Sequence, residues 1–172
     1  MDKLRPIKFR GYNKKRGEWL YGSHILNRGS HFIAPDEFAE GRTWEDYEVT
    51  LESIGQFTGL TDKNGTPIYE GDVIKVREYE NLLMKEFSDE PNRFDMFTIE
   101  EIRGELLKEY ISPVFFDEGG FLITTCQGDY DMWLACLFGD MKRSSPSFDF
   151  EVIGNVHDNK GLLEKGGNDD PA

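Results

Sequence analysis

Residues 56–76 constrain the fold more than any other part of the chain, because two tight turns lie between short β-prone runs. Asn64-Gly65 is the pair that most readily takes positive φ, as a hairpin turn requires. A second turn is indicated at Glu70-Gly71-Asp72, and Pro67 favours an edge or the start of a strand. Residues 73–77 are strongly β-prone. Turns so close together predict a small, sharply curved barrel.

Strand patterns recur on both sides of this segment. Residues 7–10 alternate apolar and basic side chains, which is the period of a half-buried strand. Residues 18–22 are rich in aromatic side chains, and residues 114–125 contain two apolar runs around a Gly-rich turn, which predicts a hairpin. Residues 148–153 alternate again. The fold class we predict is therefore mainly β, a β-rich α+β protein with an N-terminal β-hairpin region.

Residues 78–111 change character and predict an inserted helix. Thr98 is a candidate N-cap, and Glu101 three residues later completes a capping box. Apolar side chains then recur at helical spacing, at Ile99, Ile102, Leu106 and Tyr110.

The domain division that we predict has three parts: residues 1–52 as an N-terminal β-rich region, residues 53–160 as a barrel region that contains the helical insertion, and residues 161–172 as a flexible C-terminal tail.

The composition indicates a folded chain that does not enter a membrane. Of the 172 residues, 38% are hydrophobic and 13% are aromatic, which is too apolar for disorder. No apolar run is long enough to cross a membrane, and the first six residues lack the apolar stretch of a secretory signal. We therefore expect a cytoplasmic protein without membrane contact.

Cys126 and Cys136 are expected to be reduced thiols, because there is no CxxC pair and the histidines lie far away in sequence.

Charge is unevenly distributed along the chain, whose formal net charge is −13. Residues 1–28 carry eight basic side chains against two acidic ones, a net of +6, whereas the remaining residues carry 12 basic against 31 acidic ones. The basic segment predicts either a solvated strand edge that faces the acidic body of a neighbouring subunit, or a contact with nucleic-acid phosphates. The acidic body repels nucleic acid at long range.

Asp62, Glu70 and Asp72 are a candidate carboxylate cluster of the kind that holds magnesium or shares a proton. The alternative is structural: Asp72 accepts hydrogen bonds from turn amides and Glu70 faces solvent. Gly65 and Gly71 favour this alternative, because they already mark both segments as turns.

The three histidines are His24, His31 and His157, and none of them stands beside a nucleophile motif. The sequence contains no GxSxG, no Cys/His arrangement, no Walker loop and no GxGxxG. We expect surface or packing positions for all three imidazoles. The sequence therefore predicts no catalytic, cofactor-binding or metal-binding residue, and no cofactor.

Residues 56–65 (QFTGLTDKNG) and 68–74 (IYEGDVI) closely resemble the central signature of the YopX family. Residues 7–12 (IKFRGY) resemble the start of that family, and residues 150–159 (FEVIGNVHDN) resemble its end. The family occurs in bacteriophages and prophages and has no established biochemical activity. The resemblance implies a β-rich fold with an SH3-like barrel, assembly into an oligomer and no catalytic residue to transfer. The insertion described above departs from the family's compact pattern.

Three functions follow as hypotheses. The first is a non-enzymatic protein-binding or assembly module, whose partners are further copies of the chain or phage and host proteins, because small barrels present edge strands and loops as binding surfaces. The second is a nucleic-acid role, either through the basic N-terminus with Trp19 and Tyr21 or through mimicry of DNA by the acidic body. The third is a metal-dependent hydrolase that uses the candidate carboxylate cluster.

Overall fold

The computed structural model describes residues 6–81, 103–117, 119–124, 131–133, 148–159 and 161–165. The strands in these ranges are β1 Phe9–Asn13, β2 Glu18–Asn27, β3 Ser30–Ala34, β4 Glu48–Val49, β5 Gly55–Thr61, β6 Pro67–Tyr69, β7 Asp72–Asn81, β8 Arg103–Asp117, β9 Gly120–Thr124, β10 Asp131–Trp133 and β11 Phe148–Asn155. The helices are two short 3-10 helices, Trp44–Tyr47 and Leu51–Ser53, and the α-helix α1, Gly161–Lys165. The prediction of a mainly β protein is confirmed. Nowhere in these ranges is a helix long and apolar enough to cross a membrane.

The chain divides into two compact units, and it passes between them three times near the signature segment. Of the described residues, unit 1 holds 6–61 and 67–71, and unit 2 holds 62–66 and everything from residue 72 onward. The boundary that we predicted between residues 52 and 53 therefore falls inside unit 1.

Unit 1 is an antiparallel sheet with the strand order β4-β3-β2-β1-β5-β6. One face carries a core of Leu20, Ile33, Tyr47 and Val49, against which Phe9 and Ile54 pack. The predicted N-terminal hairpin is confirmed as β1 and β2, with Phe9 opposite Gly22 and Asn13 opposite Glu18.

Strand β2 changes its partner at Gly22. Its first half pairs with β1, and its second half, from Ser23 onward, pairs with β3. A Cβ atom at Gly22 would collide with the carbonyl oxygen of Ala34. Glycine therefore allows the close backbone approach that joins the two halves of the sheet.

Unit 2 is an antiparallel sheet with the order β10-β9-β8-β7-β11. Its buried hydrophobic side chains come from four strands: Val73, Ile74, Val76, Val114, Phe121, Leu122, Ile123 and Phe150. The predicted hairpin in residues 114–125 is confirmed as the pairing of β8 with β9, in which Val114 lies opposite Ile123.

The helix predicted within residues 78–111 is wrong wherever the structure describes that segment. Residues 78–81 continue β7 and residues 103–111 belong to β8; Tyr79 lies opposite Leu106, and Val76 lies opposite Tyr110. Leu106 and Tyr110 fit one face of a helix, but in the strand they pair with Tyr79 and Val76, which are an odd number of residues apart in β7 and so lie on opposite faces. Thr98, Glu101, Ile99 and Ile102 lie outside the described residues.

Neither antiparallel sheet closes into a barrel within the described residues. The tight turns that suggested strong curvature instead carry the chain from one unit to the other. At the other end, where we expected a flexible tail, residues 161–165 form α1, and the backbone N–H of Leu162 donates to the carbonyl of Asn159 just before it.

Candidate functional site

The carboxylate of Asp62 is the most constrained acidic group in the signature segment. Its Oδ1 accepts hydrogen bonds from the backbone N–H groups of Asn64 and Thr66, each at 2.8 Å. Its Oδ2 accepts a third from the backbone N–H of Val152, at 3.0 Å. The residue is only 6% exposed. The neighbouring N–H of Lys63 donates to the backbone carbonyl of a residue in β11, so this turn covers the outer edge of β11.

These contacts decide the chemistry available to Asp62. Burial raises the pKa of the carboxyl, but the N–H donors of Val152, Thr66 and Asn64 outweigh that effect and lower it. A carboxylate has about four lone-pair positions, and three of them are occupied here. A general base or metal ligand needs such positions free, so the arrangement fits a turn that is anchored to β11.

The other two members of the proposed carboxylate cluster are also held by local structure. Asp72 starts β7 opposite Asn155 and is 1% exposed. The backbone carbonyl of Glu70 accepts a hydrogen bond from Nη2 of Arg10 at 3.1 Å, and its carboxylate is 3.5 Å from the backbone N–H of Gln56. In the part of the chain that the structure describes, no three His, Cys, Asp or Glu side chains are grouped so that they would hold a metal ion.

The basic N-terminal segment forms ion pairs inside unit 1. Lys8 lies 3.2 Å from Asp36, and Lys15 lies 3.0 Å from Asp46. Further pairs join Arg16 to Glu18 at 3.3 Å and to Asp46 at 3.4 Å, and Arg42 to Glu18 at 2.8 Å. The N–H of Thr43 and the ammonium of Lys15 hold the pKa of Asp46 well below its usual range. Acidic groups of the same unit therefore offset much of the segment's positive charge.

Trp19 and Tyr21 lie on the sheet face opposite the core of unit 1, as alternation along β2 requires. Arg10 lies opposite Tyr21 in the adjacent strand. The guanidinium carbon of Arg10 is 4.9 Å from the ring centre of Trp19 and 5.3 Å from that of Tyr69. These are cation–π distances, so the aromatic side chains first serve to hold a buried arginine.

His24 and His31, which we treated as separate residues, are partners across β2 and β3. Nε2 of His24 and Nδ1 of His31 are 2.9 Å apart and hydrogen-bonded. Only the register of the hairpin, with Leu26 opposite His31, reveals this contact. In unit 2 the backbone N–H of His157 donates to the side chain of Asn155 at 2.9 Å. Cys126 and Cys136 lie outside the described residues.

A network of charged side chains on the sheet of unit 2 was not predicted from the sequence. Arg77 is at its centre: Nε is 2.7 Å from Glu109, and Nη1 is 3.2 Å from Asp149 and 3.0 Å from Glu151. Lys63 and Lys75 pair with the same carboxylates. The only signal was that Lys75 and Arg77 in β7, like the two acidic residues of β11, are separated by one apolar residue, which places each pair on one face of its strand.

Large apolar side chains are exposed in both units. Those in unit 1 are Ile7, Tyr21, Ile25, Leu26, Phe38 and Leu51, and those in unit 2 are Leu106, Leu107, Phe116 and Leu163. The two leucines of β8 are adjacent in sequence and lie at a register shift of the β7–β8 ribbon, where Glu78 is opposite Lys108 and Tyr79 is opposite Leu106.

Comparison with models of protein families establishes the family of this chain. The model of the YopX protein family matches residues 8–164. This chain belongs to the YopX family. No curated protein matches it. One similar solved structure is the crystal structure of protein EF1440 from Enterococcus faecalis, which is 19% identical with a TM-score of 0.48; the match covers 93% of this chain and 99% of that one.

Proposed function

We propose that this YopX-family chain is a non-enzymatic assembly module that associates with further copies of itself through the β7–β8 ribbon. The observation that carries the proposal is the exposure of Leu106 and Leu107, at 51% and 57%, on a part of β8 that has β7 as its described partner. The pairing of β11 with β7 ends at Glu78, and the pairing of β9 with β8 begins at Val114.

A two-stranded ribbon is marginally stable in water. Beyond Glu78 the described ribbon has no third strand, yet it exposes two adjacent leucines. Burial of a leucine side chain contributes roughly 1.5–3 kcal/mol. Covering both leucines in an assembly would therefore supply stabilisation that the ribbon lacks alone.

Light scattering coupled to size-exclusion chromatography at micromolar concentration tests the proposal. We expect an oligomer for the wild type and a smaller species for the double variant L106S/L107S. The matched control is L51S, which changes a leucine that is 60% exposed in unit 1 and should leave the assembly intact. A wild type that elutes as a clean monomer contradicts the proposal.

A nucleic-acid role is a second candidate, favoured by one observation: Arg10, Trp19 and Tyr21 share a face of the sheet. Aromatic side chains beside basic groups stack on bases of single strands. The ion pairs of Lys8, Lys15 and their neighbours argue against it, because those groups are already compensated. Fluorescence anisotropy with labelled single-stranded DNA should show binding that weakens steeply with salt. No binding at low salt would dismiss this candidate.

Mimicry of DNA by the acidic body predicts instead the capture of a DNA-binding host protein, and a pull-down that recovers none would count against it. The metal-dependent hydrolase has the weakest support, since Asp62 is engaged by three backbone donors. An SH3-like curvature of residues 55–77, a cytoplasmic location and a phage or prophage origin complete the proposal. The SH3-like curvature and the phage or prophage origin rest on the resemblance of residues 56–76 to the family signature, and the cytoplasmic location rests on the apolar pattern of the sequence.

A further inference from the structure

The side chains of His24 and His31 meet edge to edge. Their ring planes differ by 6°, and their centres are 5.1 Å apart. The N···N distance of 2.9 Å accounts for most of that separation, so the two imidazoles lie nearly in one plane with a nitrogen of one pointing at a nitrogen of the other. This is the geometry of a single N–H···N hydrogen bond, not of rings stacked face to face.

Such a bond needs one donor and one acceptor, and this requirement links it to protonation. With both rings neutral, one nitrogen carries the proton and the other accepts. A first added proton keeps the bond, because an imidazolium still donates to a neutral imidazole. A second proton removes the only acceptor and places two positive charges side by side, so the pair must titrate in coupled steps.

We propose that His24 and His31 form a proton-operated clasp: their hydrogen bond closes the β2–β3 hairpin, and protonation of both rings from solvent opens it. The clasp lies where β2 has left β1 and pairs with β3, between Ser23 and Asn27. Leu26, which is 63% exposed, lies opposite His31 and is carried by the same hairpin. This inference goes beyond assembly, because it concerns what controls one hairpin of unit 1.

Described residues of the adjoining elements bring no charge between the rings. The ring of Phe9 in β1 lies 5.5 Å from that of His24, and Val49 in β4 lies opposite His31. Charged residues of these strands and of the hairpin turn are Lys8, Arg10, Glu18, Arg28 and Glu48. Alternation places Lys8, Arg10 and Glu48 on the opposite sheet face, Glu18 pairs with Arg16 and Arg42, and Arg28 occupies the exposed turn.

The direction of the pH effect follows from burial and from the partner ring. Burial lowers the pKa of His24, and His31 lowers it further. As the pH falls, His24 therefore takes up its proton in the unfolded chain before it does so in the folded chain. The clasp contributes its stability above the ordinary histidine pKa of 6.5, and this contribution is lost as the pH falls from there through the lowered pKa of His24.

Imidazole nitrogen NMR of the full chain between pH 8 and pH 4 tests the coupling. We expect the midpoints of the two rings in the wild type to differ by more than about one pH unit, and the His24 midpoint to rise in H31Q. The variant H24Q gives the reciprocal measurement on His31 and serves if H31Q does not fold. The control H157Q removes the remaining imidazole and should leave both midpoints unchanged. Identical His24 midpoints in the wild type and H31Q would overturn the proposal, as would unchanged His31 midpoints in H24Q.

Amide hydrogen exchange tests the opening itself. After correction for intrinsic rates, exchange in residues 23–34 should rise about tenfold between pH 7 and the second midpoint in the wild type, the factor that one unit of pKa shift represents. It should show no such step in H31Q or H24Q. A step that persists in both variants refutes the clasp. Repeating the titrations with EDTA tests the alternative that the two imidazoles bind a metal ion. Midpoints that move on chelation would show that the pair is a metal site.

Discussion

Replacing Asp62 with asparagine isolates the role of the carboxylate that anchors the signature turn. An asparagine side chain has the same shape but only one acceptor oxygen, and its NH2 group is a donor. If that oxygen keeps the bonds from Asn64 and Thr66, the NH2 group must face the N–H of Val152. The opposite orientation loses two bonds instead of one. The substitution therefore breaks the contact with β11 first.

The size of the loss follows from the environment of that contact. A hydrogen bond to a charged group contributes about 1.5–3 kcal/mol, and a buried N–H without an acceptor adds a penalty of about 1–3 kcal/mol. The edge of β11 can admit some water once the turn loosens, so we expect D62N to lower the free energy of unfolding of unit 2 by about 3 kcal/mol. Urea denaturation followed by circular dichroism gives this value from the shift in midpoint.

The matched control is D36N, which also removes one carboxylate charge. Asp36 is 80% exposed at its side chain and pairs with Lys8 at 3.2 Å, so its loss should change stability by less than about 1 kcal/mol. In D62N the amide of Val152 should also exchange faster than in the wild type, whereas D36N should leave it unchanged. A D62N midpoint equal to that of D36N would refute the anchoring role.

Three further outcomes follow from the same contacts. Because the pKa of Asp62 is lowered in the folded chain, its contribution to the free energy of unfolding is complete above about pH 4 and is lost as the pH falls through the folded pKa. In urea titrations, D62N should therefore lose less stability than the wild type between pH 5 and pH 3. G22A should lower the melting temperature markedly because its Cβ collides with the carbonyl oxygen of Ala34, while G161A, whose Cβ meets nothing within 4 Å, should not; equal melting temperatures would count against the close approach. R77M should cost about 2 kcal/mol at low salt and less at high salt, because it removes the cation that three carboxylates share. A loss that does not depend on salt would contradict an electrostatic origin.

Turn chemistry made much of the signature segment predictable. Asn64-Gly65 and Glu70-Gly71 were recognised as turns from residue type, and the strands beside them, β5, β6 and β7, lie where the pattern placed them. These signals are local, because positive φ at glycine depends on the backbone of that residue alone. Gly65 and Gly71 do take positive φ, at 82° and 79°.

What could not be predicted depends on pairing between distant residues. Asp62 and Val152 are separated by 90 positions, and the contact requires the turn to lie against β11. His24 and His31 meet only through the register of their hairpin. In β8 the local pattern was misleading, because Leu106 and Tyr110 satisfy the period of a helix. Pairing with distant residues of β7 makes the segment a strand instead.

The position of the signature segment explains why few substitutions in it should be tolerated. Between residues 61 and 72 the chain leaves unit 1, forms a turn in unit 2, returns for β6 and leaves again. Each passage needs a tight turn, and the turn in unit 2 must also hold its position on β11 through Asp62. Substitutions here should therefore be detected as loss of folding. The exposed leucines of the β7–β8 ribbon and the histidine pair of the β2–β3 hairpin carry no comparable set of backbone contacts, so changes in binding or in response to pH can arise there while both sheets stay intact.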